Sequence, residues 1–258
     1  MSAASSVDAV RERLARVTDP ELDRSIVELG YIDEIDVDGD RVTVRFTLPT
    51  AWCSPAFAWM MATDARDGIE SIPGISKARI QLRDHMHDEE INHGVNERLS
   101  FGEVFPDADG GVEAIRATLD DKARVARQYD AVEALLDAGV APDQLCRLTP
   151  SDLDLDFDDE ADRAAVELDD GALVVTVDAA PLRRYLRKSR TVGVFAEDEP
   201  LFRTPEGGPI DPEEFEVVHR RGRLAQTNMS GQAGICDALN ESRRRKLGRE
   251  PPETIDAD

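Results

Sequence analysis

Between Ile32 and Ile69 the apolar pattern changes period once, from two to nearly four, and a single cysteine stands at the join. Ile32, Ile35 and Val37, then Val42, Val44, Phe46 and Leu48, follow an alternating pattern about an Asp38-Gly39 turn signal, which is the pattern of a β-hairpin. After Cys53, Ser54 and Pro55 are the residue types preferred at a helix N-cap and first turn, and Phe57, Met61, Ala65 and Ile69 continue at helical spacing. A strand pair that runs directly into a helix must fold the helix back over the sheet, so this stretch is the centre of an α+β unit.

The flanks extend that unit. Val7, Val10, Leu14 and Val17 predict a helix that Asp19-Pro20 stops, and Pro73-Gly74 separates the second helix from a third alternating strand over 75–82. Residues 1–84 thus read α-β-β-α-β. Residues 85–150 read as a helical segment, with Tyr129, Val132, Leu135 and Leu136 before a stop at Gly139. Residues 151–250 read as a small α+β region. It opens on a stretch, 151–162, acidic enough to be a linker or exposed turn, and continues with a hairpin about Asp169-Asp170-Gly171. A Pro181-initiated basic helix, a short strand over 191–195, a Gly-rich loop at 230–234 and a helix over 235–246 follow, and 251–258 reads as a disordered tail. There is no internal repeat.

Charge excludes some partners. The 258 residues carry 31 Lys and Arg against 54 Asp and Glu, a net −23, which opposes binding to nucleic acid or to anionic lipid. The acid is spread along the whole chain, as in proteins adapted to high salt, where molar ionic strength shortens the Debye length to about 3 Å. The basic runs 182–190 and 243–246 read as solvated faces paired with carboxylates. No stretch has the length of a membrane span and the N-terminus has no signal-like pattern, so the expectation is a cytoplasmic protein without a membrane partner.

Candidate chemistry rests on few residues. Cys53, Cys146 and Cys236 are the three cysteines, and their spacing makes neither a CxxC pair nor a zinc ribbon. Cys53, just before a helix start, is where free N–H groups and the helix dipole favour a thiolate, with the Thr47 and Thr50 hydroxyls near the same edge. Cys236 follows the Gly-rich stretch and is expected near a second helix start, while Cys146 reads as packing. His85, His87, Glu89, Glu90 and His93 form a possible metal-binding group, but a single Glu-x-x-His is too few for a di-iron bundle site. No GxSxG elbow is present, so an enzyme reading rests on Cys53 as nucleophile with His85 or His87 as base.

The runs Val17-Thr-Asp-Pro-Glu-Leu22 and Ser25-Ile-Val-Glu-Leu-Gly30, the hairpin ending in Thr47 and Thr50, Cys53, and Ile72-Pro-Gly-Ile75 resemble, in order and spacing, the MIP18-like (DUF59) family over about residues 7–84. The family's branches include SufT-like and PaaD-like proteins. The resemblance implies a non-enzymatic factor for iron–sulfur cluster assembly or delivery. Cys53, Asp19, Glu21, Thr47 and Thr50 would correspond to its site residues, engaging metal, cluster or client, and Cys236 and the histidine group would be possible additional ligands. It implies iron or an iron–sulfur cluster as transient cargo, and an apo-metalloprotein client and the assembly machinery as partners. The family commonly has Cys-Pro, and here Ser54 intervenes before Pro55. Because a cluster ordinarily takes four protein ligands, one cysteine needs a homodimer partner, a client or further ligands from the chain. The alternatives are an assembly chaperone for a multicomponent oxygenase and the thiol-dependent enzyme.

Overall fold

The computed structural model describes residues 3–108, 111–158, 160–169 and 171–247. It is a mixed α+β fold. By internal contacts, the described residues up to 116 together with those from 231 form one unit, and 117–230 form another. The stretch 85–150 therefore contributes to both. The predicted tail 251–258 lies outside the described residues. Among the described residues no helix is long and apolar enough to cross a membrane.

In the first unit, α1 (Ala3–Leu14) leads to a two-residue ladder, β1 (Thr18–Asp19) with β2 (Arg24–Ser25), and then to the hairpin β3 (Ile32–Asp38) and β4 (Arg41–Thr47). Gly39, with φ +62, makes the turn that Asp38-Gly39 predicts. The helix α2 (Pro55–Glu70) crosses over to β5 (Lys77–Arg83), which pairs parallel to β4 in the order β3-β4-β5. The register sets Val42, Val44 and Phe46 beside Ala78, Ile80 and Leu82, all six almost fully buried. These alternate residues make one apolar sheet face, and Ala58, Met61, Ala62, Ala65 and Ile69 of α2 join the same core.

The outer edge of β5 is closed by side chains. Its N–H groups at Leu82 and Ile80 donate to Asn92 Oδ1 (2.7 Å) and Asn96 Oδ1 (2.9 Å), and both asparagine amides donate back to the carbonyls of the same residues. Ala78 N–H donates to Glu70 Oε1 at 3.1 Å. Asn92 and Asn96 stand one turn apart on α3 (Asp88–Asn96), so two amides substitute for a neighbouring strand and protect the edge. After α3 come the short α4 (Phe101–Val104) and the start of α5 (Val112–Asp137).

The second unit holds the rest of α5, the short α6 (Pro142–Leu145) and the antiparallel sheet β6 (Leu153–Asp158), β7 (Arg163–Leu168), β8 (Leu173–Asp178). It also holds α7 (Ala179–Thr191) and the first half of α8 (Phe215–Leu247). Three expectations are corrected. The acidic stretch 151–162 contains strand β6, because Leu153, Leu155 and Phe157 alternate with aspartates that stay in water. The short strand over 191–195 does not form: Gly193, φ +75, ends α7, Val194 N–H caps the Ser189 carbonyl, and Arg190 lies over the Phe195 ring at 4.4 Å. The Gly-rich loop at 230–234 is helix, continuous within α8. Gly231 and Gly234 each weaken a helix by about 1 kcal/mol, too little to break one anchored by its second half. Asp170, in the predicted hairpin turn, lies outside the described residues.

Candidate functional site

Cys53 lies in the first unit where the β4 strand passes into α2. The join is built by hydrogen bonds: Cys53 N–H donates to the Thr50 carbonyl (3.4 Å), and Trp52 N–H to Thr50 Oγ1 (3.3 Å). Ser54 is the residue before the helix, and its side chain makes no capping bond. The Cys53 carbonyl is held by His85 Nε2 at 2.9 Å, while His85 Nδ1 accepts the His87 N–H at 3.1 Å. Those roles describe the neutral tautomer with its proton on Nε2, so both nitrogens of this buried ring are engaged in backbone bonds.

The acidic turn faces the same place. Asp19 is buried, and its Oδ1 accepts the N–H groups of Glu21 (2.9 Å) and Leu22 (3.2 Å), while Tyr31 donates its hydroxyl to Oδ2 at 3.2 Å. Burial raises the Asp19 carboxyl above its usual range, against the pull of those three donors. Tyr31 is raised far above its ordinary value, first by burial and then by the nearby Asp19, Cys236 and Cys53.

The thiolate expectation is corrected. Burial pushes the Cys53 thiol up, and Asp19 and Glu21 add to it, outweighing the backbone N–H groups of Thr50 and Cys53. Cys236 is not at a helix start but inside α8, where the N–H groups are already paired. Its thiol is pushed up to about 11 by burial and by Asp19, Cys53, Glu21 and Asp237 around it. Cys53 and Cys236 both pack against the core of the first unit.

Helix α8 reaches this place by a row of polar contacts. Gln232 donates to Glu21 Oε2 (3.3 Å), Arg24 pairs with Asp237 (3.2 Å), Asn240 donates to the Leu29 carbonyl (2.7 Å), and Arg244 to the Gly30 carbonyl (3.1 Å). These partners all lie in the two segments, 17–22 and 24–30, that precede the hairpin.

The remaining candidates spread out. The Thr47 hydroxyl is buried and donates to Asp33 Oδ2 at 2.6 Å. His87 stacks edge-on against Phe105 and stands 3.7 Å from Glu90. Glu89, Glu90 and His93 are exposed on α3, because Asn92 and Asn96 turn the opposite side of that helix to β5. Cys146 is buried in the second unit at the end of α6. Among the described residues, no group of three or more His, Cys, Asp or Glu side chains is arranged to hold a metal ion. Sequence reasoning missed Tyr31, Gln232 and Asn240. Tyr31 follows Gly30 and opens the alternating run, a signal that was available; the two amides carry none.

Known proteins resemble the chain at this end. A family profile described as iron–sulfur cluster assembly protein matches residues 7–82. An uncharacterized protein of Methanocaldococcus jannaschii is 33% identical over 91 residues, which are 34% of this chain and 93% of that protein. An iron–sulfur cluster carrier protein of Deinococcus radiodurans is 32% identical over 75 residues, 29% of this chain and 21% of that protein. One of Synechocystis sp. is 26% identical over 140 residues, 52% of this chain and 38% of that protein. The chain thus spans only a minor part of either carrier. With the matched segment carrying the Asp19 turn, the hairpin and Cys53, the chain belongs to the iron–sulfur cluster assembly protein family.

Proposed function

We propose that the chain takes an iron–sulfur cluster, or iron for one, at Cys53 and passes it to an apo-metalloprotein, without turning over a substrate of its own. The observation that carries this reading is the placement of Cys53, half-buried beside the Asp19 turn within the segment that defines the family. A thiol must lose its proton to bind metal, so a thiol raised by burial and neighbouring carboxylates binds against proton competition. One cysteine leaves most cluster positions to other donors, and exchange of those donors is the route of transfer.

Trp52, next to Cys53 in the chain, and Met86, next to His85, are exposed, and the Met86 N–H donates to the Ala51 carbonyl at 3.1 Å. That apolar rim favours a second reading, in which Cys53 contacts a client, such as an oxygenase subunit, during its assembly. Transfer separates the two. Chain reconstituted anaerobically with iron and sulfide is mixed with an apo-ferredoxin, and the acceptor's spectrum is followed. Faster loading than with free iron and sulfide supports the carrier. No acceleration overturns it, and capture of an apo-subunit by Cys53→Ser supports the second reading.

A further inference from the structure

Cys236 lies far outside the matched segment, yet the fold packs it against the same core as Cys53. On α8, Gln232, Cys236 and Asn240 are spaced four residues apart and share one face. Gln232 is bonded to Glu21 and Asn240 to the Leu29 carbonyl, so the face between them is held against the segment that carries Asp19. Asn240 is buried there, and the Arg24–Asp237 pair and the Arg244 bond to Gly30 fix the rotation of the helix. Cys236 packs into the same core as Cys53, and Tyr31, at the start of the hairpin, has both sulfurs and Asp19 within its electrostatic reach.

We infer that Cys236 is the second thiol of the Cys53 site, and that the two sulfurs together bind one thiophilic cation or the iron atoms of a cluster. The inference rests on the carrier reading and adds a ligand to it. Each thiol releases one proton as its sulfur bonds to metal, so binding frees two protons per site. Two protein sulfurs leave the other positions of a four-coordinate metal open to sulfide or to a client's donors. Cys146, buried in the second unit, takes no part.

The test uses the full chain and two probes. Dibromobimane, which fluoresces once it has bridged two thiols, is expected to link Cys53 to Cys236, with the linked peptides identified by mass spectrometry. A chain that labels fully when denatured but gives no Cys53–Cys236 bridge when folded overturns the inference without any substitution. Cadmium alone is then titrated against wild type, Cys53→Ser, Cys236→Ser and Cys146→Ser, each checked for folding by circular dichroism, with Cys236→Ala as a second form. The expected result is sulfur-to-cadmium absorption in wild type and Cys146→Ser, and about half of it in Cys236→Ser, since one of two thiolates remains. Absorption unchanged in Cys236→Ser but lowered in Cys53→Ser overturns the inference and leaves the carrier reading standing. Absorption unchanged in both overturns the two together.

Discussion

His85 Nε2 and the carbonyl oxygen of Cys53 are 2.9 Å apart, and the bond fixes the backbone that carries the Cys53 sulfur. The ring is 6% exposed, so the bond is made away from competing water. His85→Ala removes the donor and leaves a polar group unpaired, which is expected to destabilise the fold by about 1–3 kcal/mol. Denaturant unfolding measures the loss, and iodoacetamide labelling of Cys53 should quicken as the join loosens. Unchanged stability and labelling would show that the ring only fills space.

Cys236 gives a titration that is specific to the folded chain. Its thiol is pushed up to about 11 by burial and by Asp19, Cys53, Glu21 and Asp237. Only the thiolate is alkylated, so the pH profile of labelling should be centred near that value in the folded protein and near about 8.5 after denaturation. A folded-state centre at or below the denatured one would contradict the placement of Cys236 beside the acidic turn.

Asp19 makes stability depend on pH with a defined sign. Its carboxyl is raised in the fold from the ordinary value of 3.8, so over that window the folded state holds the proton more tightly than the unfolded chain. The stability it contributes is complete below 3.8 and is lost as the pH rises through the folded value. Asp19→Asn keeps an oxygen for the Glu21 and Leu22 N–H groups and removes the buried charge. Relative to wild type the variant should gain stability as the pH rises from about 4 to 7, with no gain in more acid solution. Unfolding midpoints across that range decide it; a difference that does not vary with pH would contradict the burial account.

Gly94 is needed for close packing, within a helix that alanine would otherwise favour. A Cβ there would stand 2.6 Å from the Trp59 ring and 2.5 Å from a Val104 methyl. Gly94→Ala gains about 1 kcal/mol of helix propensity, against overpacking that costs about 1–3 kcal/mol. Net destabilisation in urea is expected, and a more stable variant would contradict the packing of α3 on α2.

Local pattern revealed the first unit better than the rest of the chain. The hairpin about Gly39, the helix start at Ser54-Pro55 and the third strand follow from periods of two and near four, which depend only on neighbouring residues. The same logic would have found β6, where leucine and phenylalanine alternate with aspartate, but charge density suggested a linker. The contacts that assemble the site were not legible. Asn240 meets Leu29 and Gln232 meets Glu21 across more than 200 residues, and Asn92 and Asn96 meet a strand edge that exists only once the sheet has formed. Cys53 stood out in the sequence as a candidate, whereas its electrostatics depend on burial and on Asp19, which only the fold brings together.

The most direct test of the central claim is the content of bound iron and acid-labile sulfide in wild type and Cys53→Ser, reconstituted anaerobically in parallel and freed of loose metal. The account predicts iron and sulfide retained with a visible cluster spectrum by wild type, and lost in Cys53→Ser while its circular dichroism is unchanged. Equal retention by both, or retention by neither, would contradict the assignment of Cys53 as the residue that holds the cargo.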